Sequence, residues 1–243
     1  MPNRGLSNEE IEQLKRYDSP TVCNVIELFD VRPRDAGYMN EHVKCCFPEM
    51  PPMVGYASTA MRRCASAPRT SGEQVSLEAQ LESFVALPGP AVVVYQDLDE
   101  PKVAATFGDI MCKSLKTFGA VGIVTSGTGR DLDQVRALDF PAFTNGVISS
   151  HGYGYTAAIG IPVHVGGITI HPGDLLYGDC NGVTTIPNEI ASEVVDCCAE
   201  FAAAEAVVLN YLDRSDATPK GVTEAQNECK RRLAELSERV RTK

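Results

Sequence analysis

Apolar positions fall into three successive patterns along the chain. The first is helical. Ser7 and Glu10 form an S-x-x-E capping box, Leu6 and Ile11 sit at staple positions, and Ile11 and Leu14 give a short apolar face. Ser19 as N-cap, with Pro20 in the first turn, opens a second helix carrying Val22, Val25, Ile26 and Phe29 at helical spacing. Val31 to Pro52, rich in Pro, Gly and charge, reads as turns with short strands.

The second pattern alternates strands and helices. Val54–Met61 and the continuous run Ala91–Tyr95 read as strands, the latter fully buried. Leu77, Leu81, Phe84 and Val85 mark a helix between them, ended by Pro88-Gly89-Pro90. Thr106-Phe107-Gly108-Asp109 then leads into helical spacing at Met111, Leu115 and Phe118, with Gly119 as the stop. Val121–Val124 is a second buried strand, Asp131–Leu138 a short helix, and Pro141-Ala142-Phe143 starts a third strand. This alternation implies a parallel, layered α/β core.

The third pattern, from Ile161 to Pro187, is Gly-rich with short β-branched runs and predicts antiparallel hairpins. Two helices close the chain. One begins near Asn188. The other begins at a second capping box, Thr223 to Gln226, and carries Ala225, Cys229, Leu233, Leu236 and Val240. No internal repeat or low-complexity linker divides the chain, so residues 1–243 read as one domain with helical appendages.

Composition narrows the function classes. With 22 Lys plus Arg against 32 Asp plus Glu, the net charge is −10, which argues against a broad nucleic-acid footprint. The nine cysteines are odd in number, include the adjacent pairs Cys45–Cys46 and Cys197–Cys198, and contain no C-x-x-C; they read as reduced thiols. His42-x-x-Cys45 with Cys46 and Cys64 lacks the second compact pair of a zinc site, and buried cysteine is the reading. No apolar run approaches the ~20 residues of a membrane span, and Met1–Gly5 lacks the apolar core of a signal peptide. The expectation is a cytoplasmic protein.

The chemistry concentrates in two turns. Gly108-Asp109 precedes a helix; after twenty intervening residues, Arg130-Asp131 follows the next strand. Successive strand ends in a parallel unit lie side by side, at the edge where open α/β sheets bind ligands. A helix start there offers the Ile110 and Met111 N–H groups to an anion. Arg130 offers a planar fork to a carboxylate, and Asp131 a hard oxygen to Mg²⁺ or Mn²⁺. The set suits a small oxo acid with a divalent cation. Against this, Asp109 is equally readable as a helix cap and Arg130–Asp131 as a solvated turn. Lys113 reads as a solvated lysine, Cys112 as core packing, His151 as a structural loop histidine with pocket lining as the alternative, and His164 and His171 as strand-surface residues. Ser126-Gly127-Thr128-Gly129 lacks the Lys of a P-loop, and Asp179-x-Asn181-Gly182 the remaining ligands of an EF-hand.

The ordered set Gly108-Asp109…Arg130-Asp131, Gly55-Tyr56-Ala57-Ser58-Thr59, Pro88-Gly89 before Val92–Val94, Pro172-Gly173-Asp174, and Gly178-Asp179 through Val183 to Pro187 resembles the RraA-like family over roughly residues 18 to 210. The chain departs from the family pattern at Asn24-Val25, Gly129, Cys180 and Asn181, and residues 211–243 form an additional helical tail. The resemblance implies a layered α/β/β sandwich of the swivelling-domain type, assembled as a trimer or hexamer. It also implies a class II aldolase cleaving 4-hydroxy-4-methyl-2-oxoglutarate or 4-carboxy-4-hydroxy-2-oxoadipate to pyruvate, with oxaloacetate decarboxylation as a side activity.

By the same resemblance, Gly108, Ile110, Met111 and Arg130 would bind the substrate, Arg130 following the enolate oxygen. Asp131 would anchor Mg²⁺ or Mn²⁺, Asp109 would handle a proton through water, and a Glu of a neighbouring subunit would reach the metal through water. Glu205 is the first choice for that Glu, with Glu200 behind it. The other class of reading is a non-catalytic regulator that binds ribonuclease E, as some relatives do. A methyl-donor site, implied by an older name for the family, has no matching motif here.

Overall fold

The computed structural model of the chain describes residues 5–242. The Met1–Arg4 stretch, on which most of the signal-peptide reading rested, lies outside them.

The capping box forms as predicted: Ser7 Oγ accepts from the Glu10 N–H at 3.2 Å, and Glu10 reaches back to the Ser7 N–H at 2.7 Å, opening α1 (Asn8–Leu14). For α2 (Ser19–Phe29) the cap moves by one residue. Asp18, not Ser19, accepts from the Thr21 N–H. Ser19 is instead drawn away by a distant carboxylate: its N–H and its hydroxyl both donate to Asp179 at 2.7 Å. Asp179 also accepts from the Asn181 N–H at 2.8 Å. Each such bond to a carboxylate contributes roughly 1.5–3 kcal/mol, so Asp179 ties α2 to the far end of the chain and is a structural clamp.

Next come β1 (Lys44–Cys45), β2 (Met53–Arg63), α3 (Leu77–Glu82), β3 (Ala91–Asp97), β4 (Ala105–Phe107), α4 (Asp109–Thr117), β5 (Ala120–Thr125), β6 (Thr128–Gly129), α5 (Leu132–Arg136) and β7 (Ala142–Thr144). The hairpin region gives β8 (Tyr155–Ile159), β9 (Val163–Val165), β10 (Ile168–Ile170), β11 (Leu175–Asp179) and β12 (Gly182–Ile186), followed by α6 (Ala191–Leu212) and α7 (Pro219–Arg241). The large sheet runs β1-β7-β5-β3-β2-β11-β12, with β8 also on β2. Its centre, β2, β3, β5 and β7, is parallel. β11–β12 and β9–β10 are the predicted antiparallel hairpins.

Alternation along the buried strands separates the layers. Ala91, Val93 and Tyr95 pack with Phe107, Leu115 and Val135 beneath α3, α4 and α5. Val92 and Val94 face the other way, onto Val163, Val165 and Ile170 of the β9–β10 hairpin. Val54 and Tyr56 pack with the helices α1, α2 and α6, and Leu236 of α7 joins them. The result is the expected helix–sheet–sheet layering.

Two further local readings change, and one departure gains a physical reason. The Thr223–Gln226 box is not a cap: α7 starts at Pro219 with Thr218 as its N-cap, and the Thr223 hydroxyl bonds back to the Pro219 carbonyl. Pro in the first turn outcompetes a second start signal one turn later. Phe118 is exposed beyond the end of α4, because the helix closes at Thr117 and its core face needs only Cys112 and Leu115. Gly129, where the family pattern is apolar, abuts the Phe107 ring: a Cβ there would lie 2.3 Å from Cζ. No helix among the described residues is long and apolar enough to cross a membrane.

Candidate active site

Gly108-Asp109 and Arg130-Asp131 do meet, though not at the ends of the main-sheet strands. They follow β4 and β6, a separate two-stranded parallel ladder. Side chains and backbone stitch it together. Thr106 Oγ1 donates to the Thr128 carbonyl at 2.9 Å, Thr128 Oγ1 to the Ala104 carbonyl at 3.1 Å, and the Arg130 N–H to the Phe107 carbonyl at 3.1 Å. The chain therefore leaves both short strands at the same point.

Contact there is close. A Cβ on Gly108 would lie 2.6 Å from Asp131 Oδ2 and 3.0 Å from Arg130 Nε. Glycine at 108 permits that approach of the two side chains; its extended backbone (φ −149°, ψ −174°) would itself suit any residue. Asp131 itself sits in the left-handed region at φ 56°, which aspartate tolerates better than most residues. Its Oδ2 lies 3.3 Å from Arg130 Nε and accepts a long 3.4 Å bond from the Asp109 N–H. Both side chains stay about one-third exposed, so neither is locked away from a ligand.

The α4 start differs from expectation in one respect. The Ile110 N–H is already taken by Asp109 Oδ1 at 2.7 Å. Asp109 thus behaves in part as a local cap, as its alternative reading held, and must turn aside before Ile110 can serve an anion. The Ile110 side chain is exposed at the mouth.

A cavity of about 550 Å³ opens here, and Gly108, Asp109, Ile110, Met111 and Arg130 line one wall. His151 lines it too, its Nδ1 2.6 Å from the Gly152 carbonyl. The rest of the lining holds groups that the sequence patterns did not single out: Arg62, Gln80 and Thr156, all buried, with Tyr153 and Tyr155. Two signals were readable. Arg62 is a charge near the end of an otherwise apolar strand, and Gln80 sits one turn after Leu77 on a helix that packs inward.

The remaining calls resolve by position. Cys112 is fully buried, and burial pushes its thiol far above the ordinary range, the reverse of what a nucleophile needs. Lys113, His164 and His171 are exposed. Glu205 lies on α6 away from the cavity; burial, then Asp18, raise its carboxyl pKa. Glu200 forms two hydrogen bonds to Arg239 of α7, at 2.6 and 3.0 Å. Among the described residues no three His, Cys, Asp or Glu are grouped to hold a metal. Asp109 lines the cavity, and Asp131, its Oδ2 3.3 Å from Arg130 Nε, is the carboxylate next to that wall. That set fits Mg²⁺ or Mn²⁺, which take one or two protein carboxylates and retain several waters, and does not fit zinc.

Known proteins resemble this chain in sequence and in fold. A protein from Halalkalibacterium halodurans named "Putative 4-hydroxy-4-methyl-2-oxoglutarate aldolase" is 37% identical over 105 residues, covering 43% of this chain and 49% of its own length. The chain thus spans about half the length of that relative. An uncharacterised protein from Pseudomonas syringae pv. tomato DC3000 superposes with a TM-score of 0.70 at 20% identity, over 93% of this chain and 96% of that one. RraAS2 of Streptomyces coelicolor, described as an unusual member of the RNase ES inhibitor RraA family, gives 0.66 at 24% identity, over 84% of this chain and 98% of that one. These two likenesses establish the fold. The family model for RraA-like proteins (Aldolase/RraA) matches residues 22–185. That stretch, more than half of the sequence, contains both turns of the cavity wall, and the chain belongs to the RraA-like family.

Proposed function

We propose that the protein is a metal-dependent carbon–carbon lyase that cleaves a 4-hydroxy-2-oxo acid to pyruvate and a second oxo acid, with oxaloacetate decarboxylation as a side activity. The observation that carries this reading is the meeting of the Gly108–Asp109 helix start with the Arg130–Asp131 turn at one cavity wall.

The reaction removes the proton of the 4-hydroxyl and breaks the C3–C4 bond. The electron pair remains on C3, conjugated with the 2-oxo group as an enolate, and protonation of C3 gives pyruvate. Arg130 binds the C1 carboxylate with its fork and stays beside the oxygen that gains charge; a preorganised donor there is worth ~10²–10³ in rate. Met111, one residue after the occupied Ile110 N–H, offers backbone N–H to the same carboxylate end. Asp109 accepts and returns the proton through a water. Asp131 would hold a divalent cation, which when bound supplies Lewis acidity at the 2-oxo oxygen.

The active unit is a homo-oligomer, trimer or hexamer, in which Glu205 of a neighbouring subunit would help hold the cation. Glu200 is the weaker choice because Arg239 already engages it.

The test is pyruvate release from 4-hydroxy-4-methyl-2-oxoglutarate, 4-carboxy-4-hydroxy-2-oxoadipate and oxaloacetate, with Mg²⁺ and after chelation. Turnover restored by Mg²⁺ or Mn²⁺ supports the proposal. Full turnover in metal-free enzyme refutes the metal class, and no pyruvate from any substrate refutes the lyase.

A further inference from the structure

The cavity that Arg130 lines is also lined by an unusual pair of buried donors. Arg62 is 7% exposed and Gln80 1% exposed. A buried guanidinium is costly unless its charge and its N–H groups find partners. Arg62 has few. One terminal nitrogen donates to Thr156 Oγ1 at 3.1 Å, and the guanidinium lies 5.2 Å from the centre of the Tyr95 ring. The Tyr95 hydroxyl and the Cys64 thiol are also within its reach. No carboxylate among the described residues comes within ion-pairing distance of it, and Nε has no partner.

Asp97 is its neighbour in register across the β2–β3 ladder. That carboxylate is turned elsewhere: Oδ1 accepts from the Asp99 N–H at 3.0 Å, and Oδ2 abuts Gly127, where a Cβ would lie 2.5 Å away. Burial raises the Asp97 pKa, and the Arg62 charge acts against that rise, so the two groups interact at a distance without a hydrogen bond between them.

Gln80 completes the arrangement. Its Oε1 accepts the Tyr95 hydroxyl at 2.9 Å, leaving a buried Nε2 with no partner. Buried polar groups are nearly always satisfied, so two orphan donors in one cavity wall call for an acceptor. The backbone is irregular beside Arg62. The β2–β8 register shifts between Met61 and Arg62, leaving Ala157 of β8 without a partner, an irregularity of the kind found beside active sites. Gly154, at φ +26°, lets its loop close over the guanidinium; a Cβ there would lie 3.2 Å from a terminal nitrogen.

We propose that Arg62 and Gln80 form a second carboxylate-binding subsite, which holds the acidic group on the half of the substrate that leaves as the second oxo acid. The substrate role rests on the lyase reading above; the subsite itself does not. Arg130 and Arg62 then grip the two ends of one diacid, and a 4-hydroxy-2-oxo acid with an uncharged far end is discriminated against.

Two variants and two readouts test this. Arg62→Met keeps the volume and removes the unpaired charge, so the fold should hold or gain stability. Gln80→Glu places a carboxylate against Arg62 and fills the subsite from within. Each should lower kcat/KM for 4-hydroxy-4-methyl-2-oxoglutarate about 10- to 100-fold, the worth of hydrogen bonds to a charged group. Turnover of 4-hydroxy-2-oxopentanoate, which lacks the second carboxylate, should remain within about threefold of wild type. Calorimetric binding of oxaloacetate and of pyruvate gives the second readout. The variants should weaken oxaloacetate by the same factor and leave pyruvate unchanged. If no substrate turns over, the lyase reading fails while the binding data still decide the subsite. Equal losses for the diacid and its single-carboxylate analogue, or oxaloacetate binding unchanged in both variants, would overturn the proposal.

Discussion

Gly108→Ala separates a site from a fold at the point where the two turns touch. The added methyl meets no backbone obstacle, because φ −149° and ψ −174° are ordinary for alanine. It meets side chains instead: Asp131 Oδ2 at 2.6 Å, Arg130 Nε at 3.0 Å and Arg130 Cγ at 3.3 Å. Relaxed non-bonded contacts lie near 3.5 Å, so the Asp131 carboxylate must withdraw by about 1 Å and Arg130 must shift with it. Both side chains are about one-third exposed and can move. The fold therefore absorbs the change at a cost below about 1 kcal/mol. Catalysis does not, since misplacing aligned groups by about 1 Å costs about 10²-fold. Thermal unfolding and kcat/KM for pyruvate release should show a near-native melting temperature with a rate lowered about 100-fold. Gly129→Ala is the contrast. Its Cβ would strike the Phe107 ring in the core, and stability should fall by roughly 1–3 kcal/mol. A Gly108→Ala protein within about threefold of wild-type kcat/KM, far from that positional estimate, would show that the contact between the turns has no catalytic role. A collapse in melting temperature would make it structural.

Arg130→Lys keeps the charge but loses the fork, and should lower kcat by ~10²–10³ and weaken product inhibition by pyruvate; a change within about threefold on both counts would leave Arg130 a turn residue. Asp131→Ala should abolish activity at limiting Mg²⁺ with circular dichroism unchanged, and a normal rate there would move the metal ligand elsewhere. Iodoacetamide at about pH 8 should label exposed Cys180 first, by mass spectrometry of the native protein. Cys46 and Cys198, each pushed up to about 12 by burial, and fully buried Cys112 should stay unmodified; early labelling of Cys112 would contradict its core placement.

Elements whose signal is local were legible in the sequence. The Ser7–Glu10 box, the β-branched run at Ala91–Tyr95 and the Gly-rich hairpins after Ile161 all formed as their spacing implies. Capping and periodicity depend on neighbours a few residues away, and those are written in order. The Gly108-Asp109 and Arg130-Asp131 turns were also legible as chemistry, since their residue types match a carboxylate and a hard cation.

What the sequence left undecided depends on partners distant in the chain. Ser19 looked like a cap until Asp179, 160 residues away, claimed it. The two turns meet through β4 and β6, strands of three and two residues whose pairing is too short to leave a periodic signal. The Ile110 N–H was counted as free until the geometry gave it to Asp109. Arg62 and Gln80, on separate elements, acquired a shared role only when β2 and α3 packed around Tyr95. A donor becomes a binding group when burial removes water and no neighbour replaces it, and that balance exists only in three dimensions.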